Sequence, residues 1–96
     1  ILDPGFGFGK TLTHNINLLK NLSDFKDLGI PILAGISRKS MIGTILGDRD
    51  TNGRIVGSVV AALIAAKNGA SIIRTHDVLE TKDALTVWSR VNGFNN

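Results

Sequence analysis

The chain has 96 residues, 43% hydrophobic and 20% charged, with eleven Lys and Arg against eight Asp and Glu for a formal charge of +3, a balance that excludes a disordered chain. It contains no cysteine, which rules out disulfides and thiolate metal sites, gives no sign of secretion and makes the cytoplasm the expected location. The longest apolar run, Val59 to Ala66, is far short of the roughly 20 residues of a membrane span, and the scattered basic residues with so few aromatics argue against a nucleic-acid surface.

The first residue is Ile1, and the opening apolar pair runs straight into Asp3-Pro4 as though a strand were already under way. Truncation at the N-terminus is therefore expected. From Thr13, read as an N-cap, Ile16, Leu19, Leu22, Phe25 and Leu28 form an apolar stripe that ends at Gly29, which predicts one amphipathic helix. Pro31 to Ile36 is continuously apolar, as in a parallel strand buried on both faces, and turns polar at Ser37-Arg38-Lys39-Ser40. A short helix is expected from Met41 to Leu46, then an exposed loop from Gly47 to Gly53.

The Ala, Val and Ile of Ile55 to Lys67 predict a helix packed over most of its circumference, closed by Asn68-Gly69. A third strand, Ser71 to Ile73, leads into Arg74-Thr75-His76-Asp77 and a last amphipathic helix carrying Val78, Ala84, Leu85, Val87, Trp88 and Val91. Strands alternating with helices at this spacing imply an α/β fold with a parallel sheet, either open and doubly wound or closed into a (β/α)8 barrel. Both place ligands at the C-terminal ends of the strands.

Those three ends carry the chemistry. After the first come Asp3, held extended by Pro4, and a loop with glycines at 5, 7 and 9 and with Phe6 and Phe8 between them. Gly9-Lys10-Thr11 matches the end of a phosphate-binding P-loop, but Pro4 stands where its first glycine is required, and the dinucleotide fingerprint fails at Lys10 or Leu12. After the second strand, Arg38 and Lys39 stand beside a helix start, a combination suited to a carboxylate or phosphate. After the third, Arg74 can grip phosphate or stack on a flat ring, and His76 can donate to phosphate oxygens. Each tip taken alone has a structural explanation; three in succession would have to coincide.

Asp3-Pro4-Gly5-Phe6-Gly7-Phe8-Gly9-Lys10, Ser37-Arg38-Lys39-Ser40-Met41-Ile42-Gly43 and Arg74-Thr75-His76-Asp77-Val78, in this order and spacing, resemble the last three conserved blocks of the dihydropteroate synthases. The similarity continues through His14-Asn15, Gly57-Ser58 and Gly69-Ala70, so it covers essentially the whole chain. The resemblance implies that residues 1–96 are the C-terminal part of a single pterin-binding (β/α)8 barrel domain, about three βα units that supply its sixth to eighth strands.

It also implies a transferase of folate biosynthesis that condenses 6-hydroxymethyl-7,8-dihydropterin pyrophosphate with p-aminobenzoate, releases pyrophosphate through a transition state with carbocation character, and is the target of sulfonamides. By the same resemblance Asp3 hydrogen-bonds the pterin, and Lys39 contacts it and borders the aminobenzoate pocket shaped by Gly7 and Phe8. Ser37 and Arg38 belong to the segment that receives the aminobenzoate carboxylate. Arg74 stacks on the pterin and, with His76, holds the pyrophosphate; Lys39, Arg74 and His76 are the implied catalytic set. A magnesium ion is implied, with its protein ligand outside this chain, as is a homodimeric parent enzyme. Two other readings are a methyltetrahydrofolate-dependent methyltransferase barrel, against which the Arg74 and His76 phosphate pair argues, and a non-catalytic phosphate-binding module, which would not need all three blocks.

Overall fold

A computed structural model of the chain describes residues 1–7 and 11–93. Two short parallel strands, β1 (Leu33–Ala34) and β2 (Ile72–Ile73), pair in the register Leu33 with Ile72 and Ala34 with Ile73. The opening residues join by a single parallel bridge from Leu2 to Ile32. The Leu33 N–H donates to the Leu2 carbonyl at 2.8 Å, while the Ile32 and Ala34 carbonyls accept from Ile72 and Arg74 at 3.1 and 3.0 Å. Alternate residues of a strand direct their backbone groups to opposite sides, so the segment around β1 lies between the other two. The three expected strands are thus neighbours and parallel, but the first is reduced to one bridge and the second to two residues, because Pro31 has no N–H to give a ladder and the backbone leaves the sheet after Ala34 to build the tip.

Four helices follow the expected order: α1 (Leu12–Lys20), α2 (Ser40–Ile45), α3 (Ile55–Lys67) and α4 (Val78–Val91). The helix expected from Thr13 to Leu28 begins earlier and breaks in two. Thr11 is the N-cap, its Oγ1 accepting the His14 N–H at 3.1 Å, and beyond Asn21 the chain tightens into a 3-10 segment, Leu22–Leu28, closed by Gly29 at φ 68°. The reason lies in the stripe itself: a strict three-residue step drifts around an α-helix but stays on one side of a 3-10 helix, which has three residues per turn. The break puts Leu22 wholly inside and leaves Ile16 and Leu28 at the surface. A second 3-10 turn, Thr51–Arg54, replaces the end of the expected 47–53 loop, capped by the Asp50 carboxylate on the Gly53 N–H at 3.0 Å.

Phe6, Leu22 and Ile32 are fully buried, and around them pack Leu19, Ala34, Ile36, Met41, Ile42, Ala61 and Ala65. Burying such side chains supplies roughly 25 cal/mol per Å2 of apolar surface. Two helices face the core differently from expectation. In α3 the buried residues are Ser58, Ala61, Ala62 and Ala65, while Val56, Val60 and Ile64, each one turn apart, are exposed. In α4 the buried pair is Thr81 and Ser89, and Val78, Val87 and Val91 face outward. The side chains that both helices bury are small: Ala61 and Ala65 join the core, and α3 packs against α4. No helix among the described residues is long and apolar enough to cross a membrane.

Candidate functional site

The first tip is a pinned turn. Asp3 Oδ1 accepts the Gly5 N–H at 2.9 Å, and the chain reverses through Gly5 and Gly7, at φ 76° and 94°. These are left-handed conformations that a side chain would strain. The buried Asn15 of α1 accepts the Gly7 N–H at 2.9 Å, and from the opposite side Lys39 Nζ donates to the Phe6 carbonyl at 2.7 Å. Gly7 lies against the Lys39 stem, where an added Cβ would meet Lys39 Cδ at 3.5 Å. Phe8, expected at the aminobenzoate pocket, and Lys10 lie outside the described residues.

At the second tip Arg38 adopts φ 57°, a left-handed conformation without being glycine. Its backbone groups and one edge of its guanidinium are held. Its N–H donates to Ser58 Oγ at 2.7 Å, its carbonyl accepts from Arg54 Nη1 at 3.0 Å, and its Nε and Nη2 both donate to the Asp77 carboxylate, the Nε bond at 3.1 Å. The hydrogen bond between them raises Arg38 above the usual arginine range and holds Asp77 below the usual carboxylate range, against the cost of burial. Lys39 then caps the six-residue α2. Burial pushes its ammonium below an ordinary lysine, opposed by the charge of Asp3 and reinforced by that of Arg74.

The third tip leans on the second. Ser37 Oγ accepts the His76 N–H at 3.1 Å, lies 3.4 Å from Thr75 Oγ1 and is 3.0 Å from His76 Nδ1. A hydroxyl can both give and accept, so the Ser37 hydroxyl and His76 Nδ1 bond in either direction according to the ring tautomer. Thr75 Oγ1 in turn accepts the Asp77 N–H at 3.0 Å and bonds Thr81 Oγ1 at 3.1 Å. Arg74 lies across Gly35, where an added Cβ would stand 2.8 Å from its Nη2, and the same nitrogen is 4.0 Å from Asp3 Oδ2.

Lys39, Arg74 and His76 are therefore brought to one pocket of about 350 Å3, lined also by Gly35, Ser37 and Thr75, with Asp3 at its edge through Arg74. Three cationic or donor side chains around one hollow can hold an anionic group of phosphate type, and the Asp3 carboxylate beside them can accept from a polar ring. Ser37 and Arg38 differ: the Ser37 hydroxyl is taken up by the 75–76 turn and the Arg38 guanidinium by Asp77. Among the described residues no group of three His, Cys, Asp or Glu side chains could hold a metal ion. Gly35, Asn15, Ser58, Arg54 and Asp77 were not among the expected site residues. Only Gly35 had a local signal, as a lone glycine inside an apolar strand, which marks close approach of another group.

A family model described as pterin binding enzyme matches residues 1–76. The dihydropteroate synthase of Haemophilus influenzae is 56% identical over 88 residues, covering 92% of this chain and 32% of that protein, and that of Escherichia coli K12 is 53% identical over 87 residues, covering 91% and 30%. The chain thus spans about a third of the length of the curated relatives it matches. Dihydropteroate synthase from Xanthomonas albilineans, solved with 4-aminobenzoic acid, superposes with a TM-score of 0.93 at 49% identity over 97% of this chain and 34% of that one. The Yersinia pestis enzyme in a sulfonamide drug complex superposes at 0.90 and 49%, over 96% and 33%. With more than half of its residues matched by the family model and its fold shared with these enzymes, the chain belongs to the pterin binding enzyme family.

Proposed function

We propose that this chain supplies part of the active site of a dihydropteroate synthase, a cytoplasmic enzyme in which it forms the sixth to eighth strands of a (β/α)8 barrel. The observation that carries the reading is the convergence of Lys39, Arg74 and His76 on one pocket with Asp3 beside it, in a chain about half identical to known synthases. The substrates are 6-hydroxymethyl-7,8-dihydropterin pyrophosphate and p-aminobenzoate, and sulfonamides compete for the second site. The arylamine nitrogen bonds to the pterin methylene carbon as the carbon–oxygen bond to pyrophosphate breaks. The electron pair leaves with pyrophosphate, and the amine nitrogen sheds one proton.

Arg74, as a planar cation, and His76, through Nε2, receive the pyrophosphate and offset the charge that grows on it as the bond breaks; electrostatic stabilisation of this kind is usually the largest catalytic contribution. Lys39 holds the pterin edge between the pyrophosphate side and the 5–7 turn, and Asp3 accepts from the pterin ring. A magnesium ion, when bound, would assist the departing pyrophosphate from ligands on other elements. Assembly of the parent enzyme as a homodimer belongs to the same proposal.

The test uses a full-length synthase, such as the Haemophilus influenzae enzyme, with its matching segment replaced by this chain. The chimera should condense the two substrates, and Lys39→Ala or Arg74→Ala should each raise the barrier by on the order of 2 to 4 kcal/mol with a small change in thermal midpoint. Full turnover by either variant would refute the assignment.

A further inference from the structure

Arg38, between the pocket-lining Ser37 and Lys39, is a non-glycine residue in the left-handed region, and such a conformation persists where the surroundings over-determine it. Here the surroundings come from three elements. Ser58 on α3 takes its N–H, Arg54 before α3 gives to its carbonyl, and Asp77 before α4 takes two of its guanidinium donors. Asp77 is only 6% exposed and reaches Arg38 across 39 positions of sequence. The next residue is Lys39, whose stem packs on Gly7 and whose Nζ reaches the Phe6 carbonyl. A change of Arg38 out of the left-handed region would redirect the chain one bond before Lys39 and take its ammonium away from the pocket.

We propose that Asp77 is a positioning residue: by clamping the Arg38 guanidinium it keeps the second strand tip turned so that Lys39 enters the pocket. Arg38 acts through its neighbour and touches neither substrate. This rests on reading the pocket as a synthase site, and one arm of the test does not need that reading. The fork geometry is what makes the clamp specific, because a guanidinium and a carboxylate match in two parallel hydrogen bonds that a lysine cannot reproduce.

In the chimeric synthase, Asp77→Asn should lower kcat/KM on the order of 10- to 100-fold, the scale of a misplacement near 1 Å. The same substitution placed on Lys39→Ala should lower it by no more than about twofold further, because contacting side chains that act as one unit lose their effect together. A merely structural role predicts equal losses on both backgrounds, and that result overturns the proposal. Should Asp77→Asn fail to fold, Arg38→Lys serves in its place: it keeps the backbone bonds to Ser58 and Arg54 and a positive charge near Asp77, but cannot form the two-bond fork.

The second arm reads Lys39 directly, by the pH dependence of acylation of its amine followed by mass spectrometry. Asp3 and Arg74 are the charged groups acting on it, with His76 in the same pocket. In the unaltered protein its titration should lie below the ordinary 10.5; in Asp77→Asn it should move up toward that value as the ammonium is freed to solvent. An unmoved profile overturns the positioning role whether or not the chimera makes dihydropteroate. Inactivity of the unaltered chimera together with a moved profile would instead count against the synthase reading alone.

Discussion

Gly35→Ala should separate activity from stability more sharply than any substitution of a charged residue. The residue is buried in the segment that ends at the second strand tip, with no positive φ, so the backbone accepts alanine without strain. The new Cβ, however, would stand 2.8, 3.1 and 3.3 Å from Nη2, Nε and Cζ of Arg74. To reach ordinary contact the guanidinium must retreat by about 0.6 to 1 Å, a distance its exposed, flexible side chain can yield at little cost. The folded state therefore loses little, and the unfolded chain loses freedom, a stabilisation of about 0.4 to 1 kcal/mol at positions where alanine fits. Under the proposed function, the active site would lose the registration of Arg74 against Asp3 and the pyrophosphate. A misplacement on this scale lowers the rate by on the order of 10- to 100-fold, about 1.4 to 2.7 kcal/mol of barrier. Steady-state kinetics on the chimeric synthase, pyrophosphate titration by calorimetry and thermal unfolding together make the assay. The reasoning fails if kcat/KM and pyrophosphate affinity are unchanged, or if the thermal midpoint drops sharply while they fall.

Because burial pushes the Lys39 ammonium below its ordinary 10.5, the alkaline limb of kcat/KM should appear below that value. The folded state there binds fewer protons than the unfolded one, so the charge-burial cost is fully present below the lowered value and fades as pH rises toward 10.5. A chimera with Lys39→Arg should lose that limb, and an identical limb in both would remove Lys39 as its source. Ser58→Ala leaves the Arg38 N–H without its 2.7 Å acceptor and the Arg54 carbonyl without the Ser58 hydroxyl; urea unfolding should show a loss of about 1 to 3 kcal/mol, and a loss within 0.5 kcal/mol would mean that water replaces the hydroxyl. The isolated chain exposes Ile16, Ile45, Val56, Val60 and Ile64 around an apolar groove of about 790 Å3, so sedimentation should find it self-associated; a single monodisperse monomer at micromolar concentration would contradict this.

The three strand tips could be read from the sequence because a change from apolar to polar residues is local. Ile36 to Ser37 and Ile73 to Arg74 are each such a boundary, and the chemistry of Asp3, Lys39, Arg74 and His76 is carried in the residues themselves. Gly29 and Gly69 could be read for a similar reason, since each stands at a helix end with a positive φ that glycine supplies. Which side of a helix turns inward was less legible. Val56, Val60 and Ile64 have the apolar character of core residues, yet the smaller Ala61 and Ala65 beside them fill the core while they border an open groove with residues of α1 and α2.

The partners of the polar groups could not be read at all. Nothing in Ser37-Arg38-Lys39 says that the first residue turns to His76, the second to Asp77 and the third to Phe6, because those choices depend on how β1 and β2 are registered and on a left-handed bend at Arg38 that its sequence does not require. Asp77 likewise reads as an ordinary helix-start carboxylate until the fold brings it to the Arg38 fork. Residue type and its place at a strand end determined which groups could do chemistry here. The pairing of two strand tips 39 residues apart decided which of them line the pocket and which are bonded to one another, because a hydrogen bond needs its partners within about 3 Å and only the tertiary structure sets that distance.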